Sequence, residues 1–181
     1  MKYFIGYALE REAKWYHEEL TRELAGRFGV EPLHEKQPPH ITLIPPFSEK
    51  KEERIFSILK EIVCHASSAN FHLGDFGHFG TGVIFLKVSC PKPLALFHRA
   101  VFDALKPITH FSDDLYEKHK TLHSSVARFL SEEQFRVIWQ YLLALPSPEF
   151  TLDFDRVTLF AKPNDKWELY KQFILLRNIA K

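Results

Sequence analysis

The chain has 181 residues, enough for one ordinary domain or two small lobes, and its 45% apolar and 26% charged content is that of a globular, water-soluble protein. A formal net charge of +1 excludes a protein whose affinity comes from wrapping long DNA or RNA, because that needs a basic face. It leaves room for a pocket that takes a single nucleotide end. Cys64 and Cys90 form neither a CxxC pair nor a zinc-finger spacing, so they read as small buried thiols of a reduced, cytoplasmic protein. The first residues lack a signal peptide, and no run approaches the roughly 18 apolar residues of a membrane span.

Strand-like and helix-like patterns alternate along the chain. Tyr3 to Leu9 is a short aromatic-rich strand. Ala13, Tyr16, Leu20, Leu24 and Phe28 then recur at helical spacing, and Gly29 ends that helix. Ile41 to Ile44 predicts a strand stopped by Pro45-Pro46. Ile55, Ile58, Leu59, Ile62 and Val63 mark a second helix, and Phe71, Leu73 and Phe76 a strand interrupted by Gly74 and Gly77. A turn at Gly80-Thr81-Gly82 leads into a strand over Val83 to Val88, and Leu94 to Ile108 carries another helical stripe. Thr121 to Val126 reads as a strand. Ser131 and Gln134 make a capping box for a helix bearing Phe135, Ile138, Trp139 and Leu142. Phe150 to Phe160 and Trp167 to Leu176 predict two closing strands, joined by a turn at Lys162-Pro163-Asn164-Asp165. The string β-α-β-α-β followed by β-α-β-α-β-β is a duplicated order. It predicts an α+β fold of two lobes, with halves near 1–80 and 81–181 and mixed or antiparallel sheets around a central cleft.

Each half carries a histidine in its middle strand. In a His-x-(Ser/Thr) strand, period-two alternation puts imidazole and hydroxyl on one face and the intervening residue in the packing layer. Imidazole moves protons near neutral pH, and a hydroxyl donates to a phosphate oxygen as charge builds. The pattern occurs at His40, His65, His110, His119 and His123. His65 sits at a helix end and His110 in a loop, where solvent-facing roles suffice. His40 follows Pro38-Pro39 and alternates with Ile41 and Leu43. His119 and His123 compete for the second site, on one face of a strand over Lys118 to Ala127. Ser48 is expected to cap the helix 8 residues after His40, and Ser131 caps one 8 residues after His123, which pairs His40 with His123.

Pro39-His40-Ile41-Thr42-Leu43 and Leu122-His123-Ser124-Ser125-Val126-Ala127-Arg128 resemble the paired motifs of the 2H phosphoesterase superfamily. The nearest likeness is to the 2'-5' RNA ligase-like proteins, also called RNA 2',3'-cyclic phosphodiesterases. Phe71 to Phe79 is similar to that family's glycine-containing strand, and Phe154 to Phe160 to its penultimate strand. One position departs: the family has an apolar residue where Ser124 stands, and a hydroxyl in the packing layer needs a partner.

The resemblance implies hydrolysis of a 2',3'-cyclic phosphate, or a related phosphodiester end of RNA or a nucleotide, without metal or cofactor. His40 and His123 would be base and acid in either assignment, and Thr42 and Ser125 would hold the phosphoryl oxygens. Arg128 and Phe47 are candidate substrate contacts. A monomer is expected, with no long duplex and no membrane as partner. Two rivals stand beside this reading. One is a nucleotide-binding module of the same fold without turnover. The other is a metal hydrolase using His119 and His123 as an i,i+4 pair on a helix, which the surrounding Thr121, Ser124, Ser125 and Val126 disfavour.

Overall fold

The computed structural model describes residues 1–176. The first half runs β1 (Lys2–Ala8), α1 (Arg11–Phe28), α2 (Leu33–Lys36), β2 (His40–Ser48), α3 (Glu52–Val63) and β3 (Ala69–Phe79). The same order follows in β4 (Val83–Ser89), α4 (Lys92–Thr109), α5 (Asp113–His119), β5 (His123–Arg128), α6 (Glu132–Leu143) and β6 (Glu149–Phe154). A final pair, β7 (Arg156–Lys162) and β8 (Glu168–Ile174), closes the described chain. The fold is α+β and two-lobed. One sheet has the order β2-β1-β7-β8 and the other β5-β4-β3-β6, with every named pair antiparallel. β3, the last strand of the first half, pairs with β4 and so belongs to the second sheet.

Both histidine strands, β2 and β5, are therefore edge strands. That position explains why β2 continues through Pro45 and Pro46 to Ser48 instead of stopping at the prolines. An edge strand has one side free of the ladder, so a missing N–H costs little there. The helices exchange between lobes: α1, which follows β1, lies against β5, while α4, which follows β4, lies against β2. One contiguous apolar core runs between these layers, and a small cluster of Phe4, Ala8 and Phe160 covers the opposite face of the first sheet.

Several expectations need correction. Ser48 ends β2, and the N-cap of α3 is Lys51, without a side-chain capping bond. The matched helix offsets thus do not reflect matched caps, although Ser131 and Gln134 do form the capping box of α6. The segment Phe150 to Phe160 is two strands in different sheets, broken at Asp155. A short helix, α5, occupies Asp113–His119, with Ser112 as N-cap accepting from the Leu115 N–H. His119 ends that helix and His123 begins β5, so the two share neither a strand face nor a helix. Cys64 and Cys90 are free and exposed rather than buried. Among the described residues no helix is long and apolar enough to cross a membrane.

Candidate active site

On β2 the side chains alternate: His40 and Thr42 are half-buried on one face, while Ile41 and Leu43 are buried on the other. β5 repeats the pattern, with His123 and Ser125 half-buried and Ser124 and Val126 buried. The sheet edges meet so that His40, Thr42, His123, Ser125 and Arg128 line one cavity of about 70 Å³, together with Gln37 and His17. His40, Thr42, His123, Ser125 and Arg128 are five of the six candidates that the sequence singles out. Phe47, the sixth candidate, is a correction: it is buried in the core against Tyr3 and Phe111 and does not reach the cavity. It sits seven positions beyond His40 on the alternate that faces inward.

Both imidazoles are held in the same way. His40 Nδ1–H donates to the Pro38 carbonyl at 2.7 Å, and His123 Nδ1–H donates to the Thr121 carbonyl at 2.8 Å. A carbonyl can only accept, so the neutral rings carry their proton on Nδ1 and present a bare Nε2. Neither Nε2 has a hydrogen-bond partner among the described residues. Each ring also rests on two phenylalanines. His40 packs on Phe4 at 4.5 Å and Phe160 at 5.3 Å, and His123 packs on Phe79 and Phe85, both at 4.9 Å.

Two glycines make these supports fit. A Cβ on Gly6 of β1 would stand 2.4 Å from the Ile41 carbonyl oxygen, so β1 and β2 can approach beside His40 only without a side chain there. A Cβ on Gly77 of β3 would stand 2.6 Å from the Phe85 ring that backs His123.

Ser124 finds its partner across the cleft. Fully buried, its hydroxyl donates to the His40 carbonyl at 2.9 Å and so ties the two motif strands to each other. Arg128 at the end of β5 is held by Glu31, with Nε 2.7 Å from one carboxylate oxygen and Nη2 3.4 Å from the other. Its guanidinium also lies 5.2 Å from the ring of Phe129, which is 81% exposed and has a φ of 58°. That left-handed backbone is uncommon for a bulky residue and marks a turn held under strain.

Burial dominates the electrostatics. It pushes the His40 imidazole down to about 4 against the opposing bond to Pro38, with His17, Arg128 and His123 adding smaller depressions. His123 is also lowered, mainly by burial and less by His119, with the Thr121 bond opposing. Both rings are therefore neutral at pH 7 in the free protein.

His17 of α1 was missed by sequence reasoning. It is 4% exposed, and its Nε2–H donates to the Ser125 carbonyl at 2.9 Å. The available signal was position, since Ala13, His17, Leu20, Thr21 and Leu24 form one buried stripe in which His17 is the one ionisable residue.

The family model of the 2'-5' RNA ligase superfamily matches residues 11–166. This chain belongs to that superfamily, a 2H phosphoesterase group of phosphoesterase- and ligase-like enzymes. No curated protein sequence matches it. Among solved structures, TT0787 of Thermus thermophilus is similar at 16% identity and a TM-score of 0.64, covering 97% of this chain and 98% of that one. LigT of E. coli complexed with 3'-AMP is similar at 15% identity and a TM-score of 0.59, covering 96% of each chain. LigT in its phosphate complex gives 17% identity and a TM-score of 0.57 over 96% of each chain. At these identities the likeness is one of fold.

Proposed function

We propose that the protein is a metal-independent phosphodiesterase that opens 2',3'-cyclic phosphates, or related phosphodiester ends, of RNA or nucleotides. The observation that carries this reading is the pair of equivalent imidazoles, each with Nδ1 tied to a backbone carbonyl and Nε2 free, on one phosphate-sized cavity. A volume of about 70 Å³ suits a phosphate group and leaves the nucleoside outside. LigT holds 3'-AMP and phosphate, ligands whose phosphate such a cavity would take. Phe129, beside Arg128 and exposed, offers a surface for the base to stack on.

In the reaction one Nε2 takes a proton from water as its oxygen bonds to phosphorus. The phosphorus–oxygen bond to the ribose then breaks, and the leaving oxygen takes a proton from the other imidazolium. Thr42 and Ser125 hydroxyls, with the Arg128 guanidinium, stabilise the charge on the phosphoryl oxygens. His40, the more strongly depressed ring, suits the base. His123 suits the acid, because a bound anion raises the affinity of a neighbouring imidazole for its proton.

One observation favours the binding-module alternative: with both rings neutral at pH 7, the free protein holds no charged acid. Turnover decides between them. Assay of a panel of 2',3'-cyclic nucleotides and cyclic-phosphate oligonucleotides should give ring-opened monoesters. Tight binding without any product would favour the module.

A further inference from the structure

We propose that His17 is a third histidine of the site, whose Nδ1 holds the attacking water beside the phosphate; the inference rests on the phosphodiesterase reading above. His17 lines the cavity with His40 and His123. Its Nε2–H is spent on the Ser125 carbonyl at 2.9 Å, so Nδ1 carries the lone pair. That nitrogen is buried and has no hydrogen-bond partner. His34 Nδ1 shares this state, but His34 does not line the cavity. Burying an acceptor unpaired is costly, and native proteins tolerate it where a water or a reacting group completes the bond.

The protonation state narrows the partner. Burial pushes the His17 imidazole down to about 4, against the opposing bond to Ser125, so the ring is neutral and Nδ1 is an acceptor at pH 7. A bare lone pair repels phosphoryl oxygens and accepts only from an O–H or N–H donor. The cavity is small, about 70 Å³, so a donor that reaches Nδ1 beside a phosphate must itself be small. Water is the donor that fits. One of its protons bonds to His17 Nδ1 and the other to Nε2 of the base. The base takes its proton as the oxygen attacks phosphorus. The proton facing His17 stays on that oxygen, now part of the monoester, and keeps its hydrogen bond. His17 gains and loses no proton; it aims the lone pair of the water.

Two variants separate this role from a structural one. In His17→Gln the side-chain amide nitrogen reaches the place of Nε2, keeping the bond to Ser125 and leaving no acceptor at the place of Nδ1. In His17→Asn the amide lies at the place of Nδ1, and the Ser125 bond is lost. With a 2',3'-cyclic phosphate, His17→Gln should keep its Tm and its KM within about twofold while kcat falls on the order of 10²-fold. His17→Asn should lose Tm and retain more kcat than His17→Gln. Wild-type kcat in His17→Gln, or kcat tracking Tm in both variants, would overturn the proposal. So would weaker binding of 3'-AMP but not of 2'-deoxy-3'-AMP in His17→Gln, which would make the donor a ribose hydroxyl. A wild-type protein with no turnover on any phosphodiester would instead bring down the underlying phosphodiesterase reading.

Discussion

The Ser124 hydroxyl donates to the main-chain carbonyl of His40 at 2.9 Å, joining the two histidine strands by a hydrogen bond between residues 84 apart. The residue that departs from the superfamily motif is therefore the one that fixes the strands relative to each other. Ser124→Ala leaves the buried carbonyl without this donor, and should cost about 1–2 kcal/mol of stability. It should also lower kcat by up to about 10²-fold, although Ser124 does not line the cavity, because small displacements of reacting groups are that expensive. Denaturant titration and steady-state kinetics on the same preparation measure both effects.

The pH dependence of stability follows from three neutral histidines, His17 and His98 buried and His40 half-buried. His17, His40 and His98 each sit at about 4 in the folded protein, chiefly through burial, against roughly 6.5 in an unfolded chain. Between these values the unfolded state binds protons that the folded state refuses, so stability is full above about pH 6.5 and is lost as the pH falls toward 4. Each group contributes a slope of up to about 1.4 kcal/mol per pH unit. Thermal melts should show Tm falling steadily from pH 7 to pH 5. His98, whose Nε2–H donates to the Leu43 carbonyl behind the site, allows a check: His98→Gln should flatten the slope.

The catalytic profile should be acidic. A base at about 4 works through pH 5, and an acid lowered from its ordinary value is protonated only at lower pH. The profile of kcat/KM, which reports the free enzyme, should peak between about pH 4 and 6.5, whereas that of kcat should peak higher because the bound phosphate favours protonation. Kinetics at a temperature well below the acid Tm would reveal it. A kcat/KM optimum above pH 8 would contradict the assignment.

Gly6 and Gly77 should be intolerant for one reason on two sides of the site. Gly6→Ala drives a Cβ against the Ile41 carbonyl, and Gly77→Ala drives one against Phe85. Each should cost about 1–3 kcal/mol as overpacking. Gly6→Ala should disturb His40 and Gly77→Ala should disturb His123, read as separate changes in the two imidazole NMR resonances.

Much of this was written locally in the chain. The alternation in Ile41-Thr42-Leu43 places His40 and Thr42 on one face, and the capping box at Ser131 fixes α6, because each depends on residues a few positions apart. α5 escaped because none of its residues is buried, so it leaves no apolar stripe; only the Ser112-Asp113-Asp114 start announces it. The continuation of β2 through its prolines depends on its place at a sheet edge, which local pattern does not carry. His17 reaches Ser125 across 108 positions, and the phenylalanine supports come from β1, β3, β4 and β7. Contacts of that range depend on how the lobes pack.

In the proposed mechanism His40 and His123 act on one phosphate in one step. The most direct measurement is kcat of His40→Ala, His123→Ala and the double variant on a 2',3'-cyclic phosphate, with His119→Ala as reference, all confirmed folded by their melts. Each single loss should cost on the order of 10² to 10⁴ in rate. The double variant should be little worse than either, because groups that act as a unit do not add. His119, at the end of α5 and outside the cavity, should leave the rate near wild type. Full activity in His123→Ala with loss in His119→Ala, or single losses that multiply in the double variant, would contradict the pairing.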